Sequence, residues 1–392
     1  LEIRTLTPED LPAFRDIHTH SFGNGEPSTY SEEDMNRENA IGVFEGGRLR
    51  AVLGILDFQM FFGSDRRPCG GVTSVACDPA ERGKGYAGAL VKRGLEQQRE
   101  KGQYLSSLWP FDQRFYRHYG YEWTGAVREY KVPVKLMKPD PESRYVESVT
   151  ENIMDAMNPL YESIVQRYNG GIVRDEWLWN NITTRFKKRQ PANYVYRRDG
   201  KVEGYATIRY LNSPAGEDEK QEATVGSFAA DTPRAYRGLL GLFHHQAMTA
   251  DKFKWHTPAD DPLWSILCHW GVETRLSPTV MGRIVDLQGA ITDLKPVPSI
   301  RGSAVFSLKD EHAPWNAGNW LLTVEDGHAA ITRTDREPGV SLDIQALTQA
   351  YWGMPSLLEI RRAERLTVHN EADFTFLSEV FPAKTVWTID DF

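Results

Sequence analysis

The spacing of apolar positions changes along the chain, and each change marks an element. Residues 1–6 alternate apolar and polar, as a half-buried strand does. Thr7-Pro8-Glu9-Asp10 then supplies an N-cap with proline at the first helical position, and the run from Leu11 places Phe14, Ile17 and His18 on one side of a helix. A loop rich in Gly, Asn and Ser covers 22–30. Strand patterns at 40–45 and 48–55 flank Gly46-Gly47, a hairpin signal, and 58–62 extends that sheet. Residues 71–77 form a further apolar strand, 85–100 a helix and 106–109 a strand.

Pro133, Pro139 and Pro141 interrupt the periodicity between 132 and 144, which places a first boundary there. A second unit follows, with helices predicted at 153–168, 174–186 and 233–249, the last opened by Thr232-Pro233. Its strands fall at 193–197 and 202–210, joined by Asp199-Gly200, and at 223–229. The second boundary lies at 286–298. Strands at 302–309, 318–325 and 327–332 and helices at 343–351, 355–361 and 371–379 complete the chain. The predicted units are 1–135, 136–288 and 289–392, and the fold class is α/β (α+β).

A length of 392 residues agrees with several domains, at about 100–200 residues each. Charged residues at 26% and hydrophobic residues at 40% are ordinary globular values and exclude disorder. The net charge of −8 argues against a nucleic-acid partner. No apolar run reaches the roughly 20 residues that cross a bilayer, so no membrane partner is expected. Glu2, Arg4, Glu9 and Asp10 do not fit the apolar core of a signal peptide. Cys69, Cys77 and Cys268 form no C-x-x-C pair and no zinc set, which points to a reducing, cytoplasmic setting without a metal. His244 and His245 occupy adjacent helix positions that point apart, so they are no ligand pair. Eleven Trp, 16 Tyr and 17 Phe fill cores and also suit an apolar-walled ligand pocket.

Candidate chemistry concentrates in residues 73–90, an apolar strand, a proline turn and a glycine-rich loop opening a helix. Gly83 and Gly85 leave no Cβ in the way, so backbone N–H groups and the positive helix end converge on one point, where a pyrophosphate would be held. Arg82 and Lys84 add positive charge. Neither a G-x-G-x-x-G after a first strand nor a G-x-x-x-x-G-K-[ST] is present. The phrase V-A-x-x-P-x-x-R-G-x-G-x-A instead resembles the acetyl-coenzyme A motif of the GNAT acetyltransferases, [RQ]-x-x-G-x-[GA], with Ala80 at its first position. About thirty residues on, Phe115-Tyr116-Arg117-His118-Tyr119-Gly120-Tyr121 resembles the GNAT phrase F-Y-x-x-x-G-[FY].

Over its full length the chain resembles the Eis (enhanced intracellular survival) family. The resemblance includes Leu160-Tyr161-Glu162, Gly170-Gly171-Ile172-Val173-Arg174, Leu178-Trp179, Phe381-Pro382 and the end at 388–392. It implies two tandem GNAT-like domains with mixed central sheets and a C-terminal domain similar to sterol carrier proteins. It also implies acetyl-CoA as co-substrate, held by Val75, Ala76, Cys77, Gly83, Lys84, Gly85, Tyr86, Ala87, Gly88, Phe111 and Asp112. In the resemblance Tyr116 is the general acid and the Phe392 carboxylate the base, transfer is direct, and the Val75 N–H polarises the thioester carbonyl. A phenol with pKa near 10 suits the acid role. Cys77 lacks a Cys-His-Asp set, which disfavours an acyl-enzyme.

Relatives in that family acetylate aminoglycosides and lysine side chains, and many are hexamers. A small-molecule amine acceptor and a homo-oligomer, a hexamer by analogy, are therefore expected. Phe22, Asn24 and Asp391 are the candidate acceptor-binding residues; Asn24 is neutral where some relatives place an acid. Trp109 is read as core. The alternatives are a peptide or metabolite N-acetyltransferase, or an apolar-ligand binding protein whose third domain encloses a cavity lined by Phe306, Trp320 and Trp352.

Overall fold

Three mixed sheets organise the computed structural model, which describes residues 1–22, 26–184, 191–210, 221–390 and 392. The first unit supplies β1 (Glu2–Thr5), α1 (Leu11–Phe22), α2 (Glu32–Arg37), β2 (Ile41–Glu45), β3 (Arg48–Phe62), β4 (Asp65–Cys77), α3 (Tyr86–Glu100), β5 (Leu105–Leu108), α4 (Gln113–His118) and β6 (Glu122–Trp123). The runs 48–55 and 58–62 are one continuous strand, and β4 begins six residues before the apolar run at 71 because it pairs with β3 along its length. β4 returns through α3 to a parallel β5, a connection that puts the helix on one face of the sheet. Leu53 and Ile55 meet α3 on that face, where Gly94 lets them approach.

The next stretch contains β7 (Ala126–Pro133), β8 (Val146–Ser148), α5 (Ile153–Val165), β9 (Asn169–Ile172), α6 (Glu176–Thr184), β10 (Ala192–Arg198), β11 (Lys201–Tyr210), β12 (Gln221–Ala230), α7 (Pro233–His245), β13 (Ala250–Thr257), α8 (Leu263–Leu267), β14 (Glu273–Pro278) and β15 (Met281–Ile284). The second sheet runs β14-β7-β13-β12-β11-β10-β8. Strands cross between the units. β7, read with the first unit, pairs with β13 and β14 in the second sheet. β15, read with the second unit, lies between β5 and β6 in the first, and β9 pairs with β3. Strands thus pass the boundary expected at 135 in both directions, because a strand's alternation does not tell which sheet receives it. α5 stops at Val165, where Arg167 and Tyr168 turn back to Ile164 and Val165, and 169–172 become strand instead of helix. Residues 185–186, expected to end a helix, fall outside the described residues.

The third unit holds α9 (Leu287–Thr292), β16 (Gly302–Lys309), β17 (Gly318–Glu325), β18 (His328–Arg333), β19 (Val340–Asp343), α10 (Ile344–Trp352), α11 (Leu357–Arg362), β20 (Leu366–Val368) and α12 (Glu371–Val380), with the sheet ordered β18-β17-β16-β19-β20. Phe306, Trp320 and Trp352, expected to line a ligand cavity, are fully buried in one apolar cluster with residues of the first sheet. The Trp352 ring lies 5.2 Å from that of Phe62, so it fills a joint between units. A buried bidentate ion pair closes the same joint: Arg283 of β15 donates to Asp310 at 2.8 and 2.9 Å and also to the Tyr119 carbonyl. His244 and His245 bond to separate partners, the Met137 carbonyl and the Ser143 hydroxyl. Among the described residues no helix is long and apolar enough to cross a membrane, and no three His, Cys, Asp or Glu side chains are grouped to hold a metal.

Candidate active site

The site opens where the first sheet splays. β4 pairs with β5 only from Cys69 to Val72, so, among the described residues, 73–77 have no strand partner on that side. On the other side the β3–β4 register slips between Val52 and Gly54, and Ser74 takes a left-handed φ of 51° at the irregularity. Strand backbone is thereby left facing a gap. A groove of about 600 Å³ runs from this gap to the start of α3, lined by Val75, Ala76, Cys77, Arg82, Gly83, Gly85, Tyr86, Ala87 and Gly88.

Gly83 and Gly85 sit at φ 85° and 86°, a region that favours glycine, and a Cβ at either would meet open space. The loop is therefore shaped by backbone conformation, with the uncapped N–H groups of the first turn of α3 at the groove. At Gly88 a Cβ would overlap the Tyr119 hydroxyl, which lies on the helix at that point. Two predicted residues stand apart from the groove lining. Lys84 pairs with Glu81 at 2.5 Å on the surface, and Asp112 caps α4, accepting from the Arg114 N–H at 2.8 Å. Both are held by local charge pairing, which a motif match does not register. Burial pushes the Cys77 thiol up, away from the thiolate a nucleophile needs.

A second cavity, of about 390 Å³, adjoins the groove and shares Phe22, Val75 and Phe111 with it. Tyr116 lines this cavity from α4. Its ring is buried at the edge of the Phe111, Phe115 and Tyr121 rings, and burial raises its phenol well above 10. His18, Phe22 and Tyr30 form one aromatic wall, with His18 4.9 and 5.0 Å from the other two rings. Asn24 and Asp391 lie outside the described residues.

The chain end reaches the same cavity. Val386 bridges to Asn169, Trp387 donates to the Asn169 carbonyl at 2.9 Å, and Thr388 donates to Gly170. Asp390 then enters a buried clamp. Its Oδ1 lies 2.7 Å from Nη2 and 3.0 Å from Nε of Arg174, whose guanidinium stacks 3.7 Å above the Tyr161 ring. Tyr161 donates to the other carboxylate oxygen at 3.2 Å, and Trp109 donates to the Asp390 carbonyl at 2.6 Å. Beyond the clamp the Phe392 ring rests against Gly71 and lies 4.9 Å from Phe58, edge to face. Trp109, expected as core, is half-buried, lines the cavity and holds the tail.

The second unit also supplies a wall that sequence reading missed. Trp177 and Asn181 of α6 line the cavity, and Arg37 ties α2 to that unit by pairing with Asp175 at 2.9 Å and stacking on Trp177. Glu38 is a further missed residue. It lines the cavity beside Ser74 although it is only 7% exposed. The signal for it was Gly54, a lone glycine inside a strand, since a Cβ there would overlap the Glu38 carboxyl.

Comparison with known proteins agrees with this geometry. Residues 2–124 and 170–284 each match an acetyltransferase (GNAT) domain family, and 287–389 match a sterol carrier protein domain family. An uncharacterized N-acetyltransferase of Streptomyces avermitilis is 24% identical over 407 aligned residues, covering 97% of this chain and 98% of that protein. The structure superposes over the full length of both chains on a GCN5-related N-acetyltransferase from Anabaena variabilis, at TM-score 0.89 and 21% identity. Eis1 from Mycobacterium abscessus superposes equally completely at TM-score 0.81 and 20% identity. The chain carries two GNAT acetyltransferase domains followed by a sterol carrier protein domain, in the whole-chain fold it shares with Eis1.

Proposed function

We propose that this protein moves an acetyl group from acetyl-CoA directly to an amine of an aminoglycoside or another polyamine-like molecule. The observation that carries the reading is the meeting of two spaces at Val75, with Tyr116 and Phe392 both on the acceptor side. The groove along β4 and the α3 loop fits the coenzyme arm and pyrophosphate. The Val75 N–H, at the splayed strand, polarises the thioester carbonyl. Tyr116, kept protonated by burial, gives its proton to the departing sulfur. The Phe392 carboxylate takes a proton from the attacking nitrogen. The high thiol pKa of Cys77 favours this direct route over an acyl-enzyme.

The cavity walls support an amine acceptor, because aromatic faces and carboxylates both attract cations. Three free cysteines support a reducing cytoplasmic location. Exposed Trp264, Ile266, Trp270 and Leu276 near the edge strand β14 support assembly with further copies, a hexamer by analogy. Thiol release from acetyl-CoA with aminoglycosides, polyamines and lysine peptides tests the reading, with the intact chain beside one lacking Phe392. Turnover of a multi-amine acceptor that collapses without Phe392 is expected. Turnover of lysine peptides alone would move the activity to protein acetylation, and acetyl-CoA binding without any turnover would refute the acceptor class.

A further inference from the structure

The acetyltransferase reading leaves a proton to be accounted for. An amine reaches the site as an ammonium ion, R–NH₃⁺, and leaves as an amide, R–NH–acetyl, so its nitrogen loses two protons. Phe392 provides one acceptor. The same face of the first sheet provides a second carboxyl. Gly54, Leu56 and Phe58 alternate onto the face of β3 opposite α3. Phe392 packs on Phe58 and on Gly71, the partner of Leu56, while the Glu38 carboxyl lies over Gly54. The Glu38 carboxyl and the Phe392 ring therefore flank the strand segment where the thioester would sit.

We propose that Glu38 receives the acceptor's ammonium group and takes its first proton. Glu38 is nine-tenths buried and lines the acceptor cavity, and among the described residues its Oε2 has no hydrogen-bond partner. The other ionisable groups that face it are committed or neutral. Asp34 accepts from the Ser31 N–H and hydroxyl at 2.8 and 2.7 Å, and Arg37 is paired with Asp175. Burial holds the His18 imidazole below its usual range, and Tyr30 bonds to the Ser74 hydroxyl at 3.2 Å. Burial pushes the Glu38 carboxyl up to about 8, opposed by the neighbouring Ser74 hydroxyl. An entering cation reverses that, ionising Glu38 in its favour.

The steps balance. One N–H bond breaks and its proton passes to the Glu38 carboxylate, leaving a neutral amine. The nitrogen lone pair forms the C–N bond, and the second N–H proton goes to the Phe392 carboxylate. The C–S bond breaks with its electron pair on sulfur, which takes the Tyr116 proton. One proton ends on the thiol, and the other passes to solvent once the phenol is restored.

Because the proposal rests on the acetyltransferase reading, the test is separable from turnover. Benzylamine is titrated into the full-length chain without acetyl-CoA at pH 7, in buffers of different ionisation enthalpy. Wild type and the variant lacking Phe392 should each release up to about one proton per amine bound. E38Q should release none and bind about 10- to 100-fold more weakly. E38D should retain the proton release, and G54A, which fills the carboxyl's seat, should behave as E38Q does. Acetyl-CoA affinity, measured in parallel, should stay unchanged in all of them. Unaltered proton release and affinity in E38Q, or no benzylamine binding by wild type, would overturn the proposal while leaving the donor groove in place. Glu38-dependent binding with no turnover on any amine would instead remove the acetyltransferase reading and keep Glu38 as an ammonium receptor.

Discussion

Replacing Asp390 by Ala should detach the last residues from the acceptor cavity. The Arg174 and Asp390 side chains are 1% and 3% exposed, and the guanidinium holds the carboxylate at 2.7 and 3.0 Å. Removing one member of such a pair strands the other charge without water, which costs about 3–5 kcal/mol. Ile389 packs on the same core as Trp387, and what remains to hold the tail beyond it is small. The Trp109 hydrogen bond acts on the backbone carbonyl and survives, contributing about 1 kcal/mol. The partly buried Phe392 ring against Phe58 adds roughly 1–2 kcal/mol. The loss exceeds the remainder, so the docked tail becomes the minor state, its equilibrium shifted by a factor on the order of 10² to 10³. Val386 and Trp387, both in packed cores, keep the preceding segment in place. Carboxypeptidase release of Phe392 reads this directly: D390A should be trimmed at least tenfold faster than wild type, with acetyl transfer falling toward the level of the chain lacking Phe392. The double variant R174M/D390L, which removes both charges, should restore much of the protection. Wild-type trimming rates in D390A would refute the clamp.

Y116F should lower kcat by about 100-fold or more while leaving acetyl-CoA affinity unchanged, as measured by stopped-flow turnover and direct binding. Since burial raises the Tyr116 phenol, wild-type kcat should show no loss from its ionisation up to pH 10. C77A should keep wild-type turnover and intersecting double-reciprocal plots; parallel lines would point to an acyl-enzyme. G85A places a side chain at φ 86°, costing about 1–2 kcal/mol, and should weaken acetyl-CoA binding roughly 5- to 30-fold in calorimetry. E38Q should change the pH dependence of stability. A folded carboxyl at about 8 against 4.5 unfolded makes the folded chain hold the extra proton, so wild type loses stability as pH rises from 4.5 to about 8. E38Q should lack that loss, so its Tm advantage should be larger at pH 9 than at pH 5.

Short-range chemistry was the readable part of this chain. The strand, glycine loop and helix at 73–90 could be located because the left-handed positions at Gly83 and Gly85 need particular residues at particular places. Tyr116 was readable by its distance from that loop. The partners that hold the site were hidden for a common reason. Arg174 enters the sequence analysis only as part of a family phrase, and only the fold brings it to Asp390, 216 positions away. Glu38 follows Glu32, Glu33 and Asp34 in a stretch given no element from its sequence, and it turns inward where Asn39 adopts a left-handed φ of 45°. Trp109 reads as one of many core aromatics until its indole N–H is seen to meet the tail. Periodicity reports which face of an element is buried, and it carries no information about which distant element covers that face.

The placement of β15 between β5 and β6 has a consequence for the order in which the protein is made. Among the described residues β6 has β15 as its sole partner strand, and β6 directly follows the α4 segment that carries Tyr116. A nascent chain that has emerged only as far as residue 124 already contains the coenzyme loop and the phenol. It still lacks the strand that fixes where that phenol stands, and that strand arrives more than 150 residues later. Donor-groove formation and catalytic competence should therefore separate in time during synthesis, with the first unit held incomplete until the second has passed through the ribosome. The same dependence explains why the two GNAT units would be poor candidates for exchange between proteins as independent cassettes: cutting the chain between them removes a strand from the interior of one sheet.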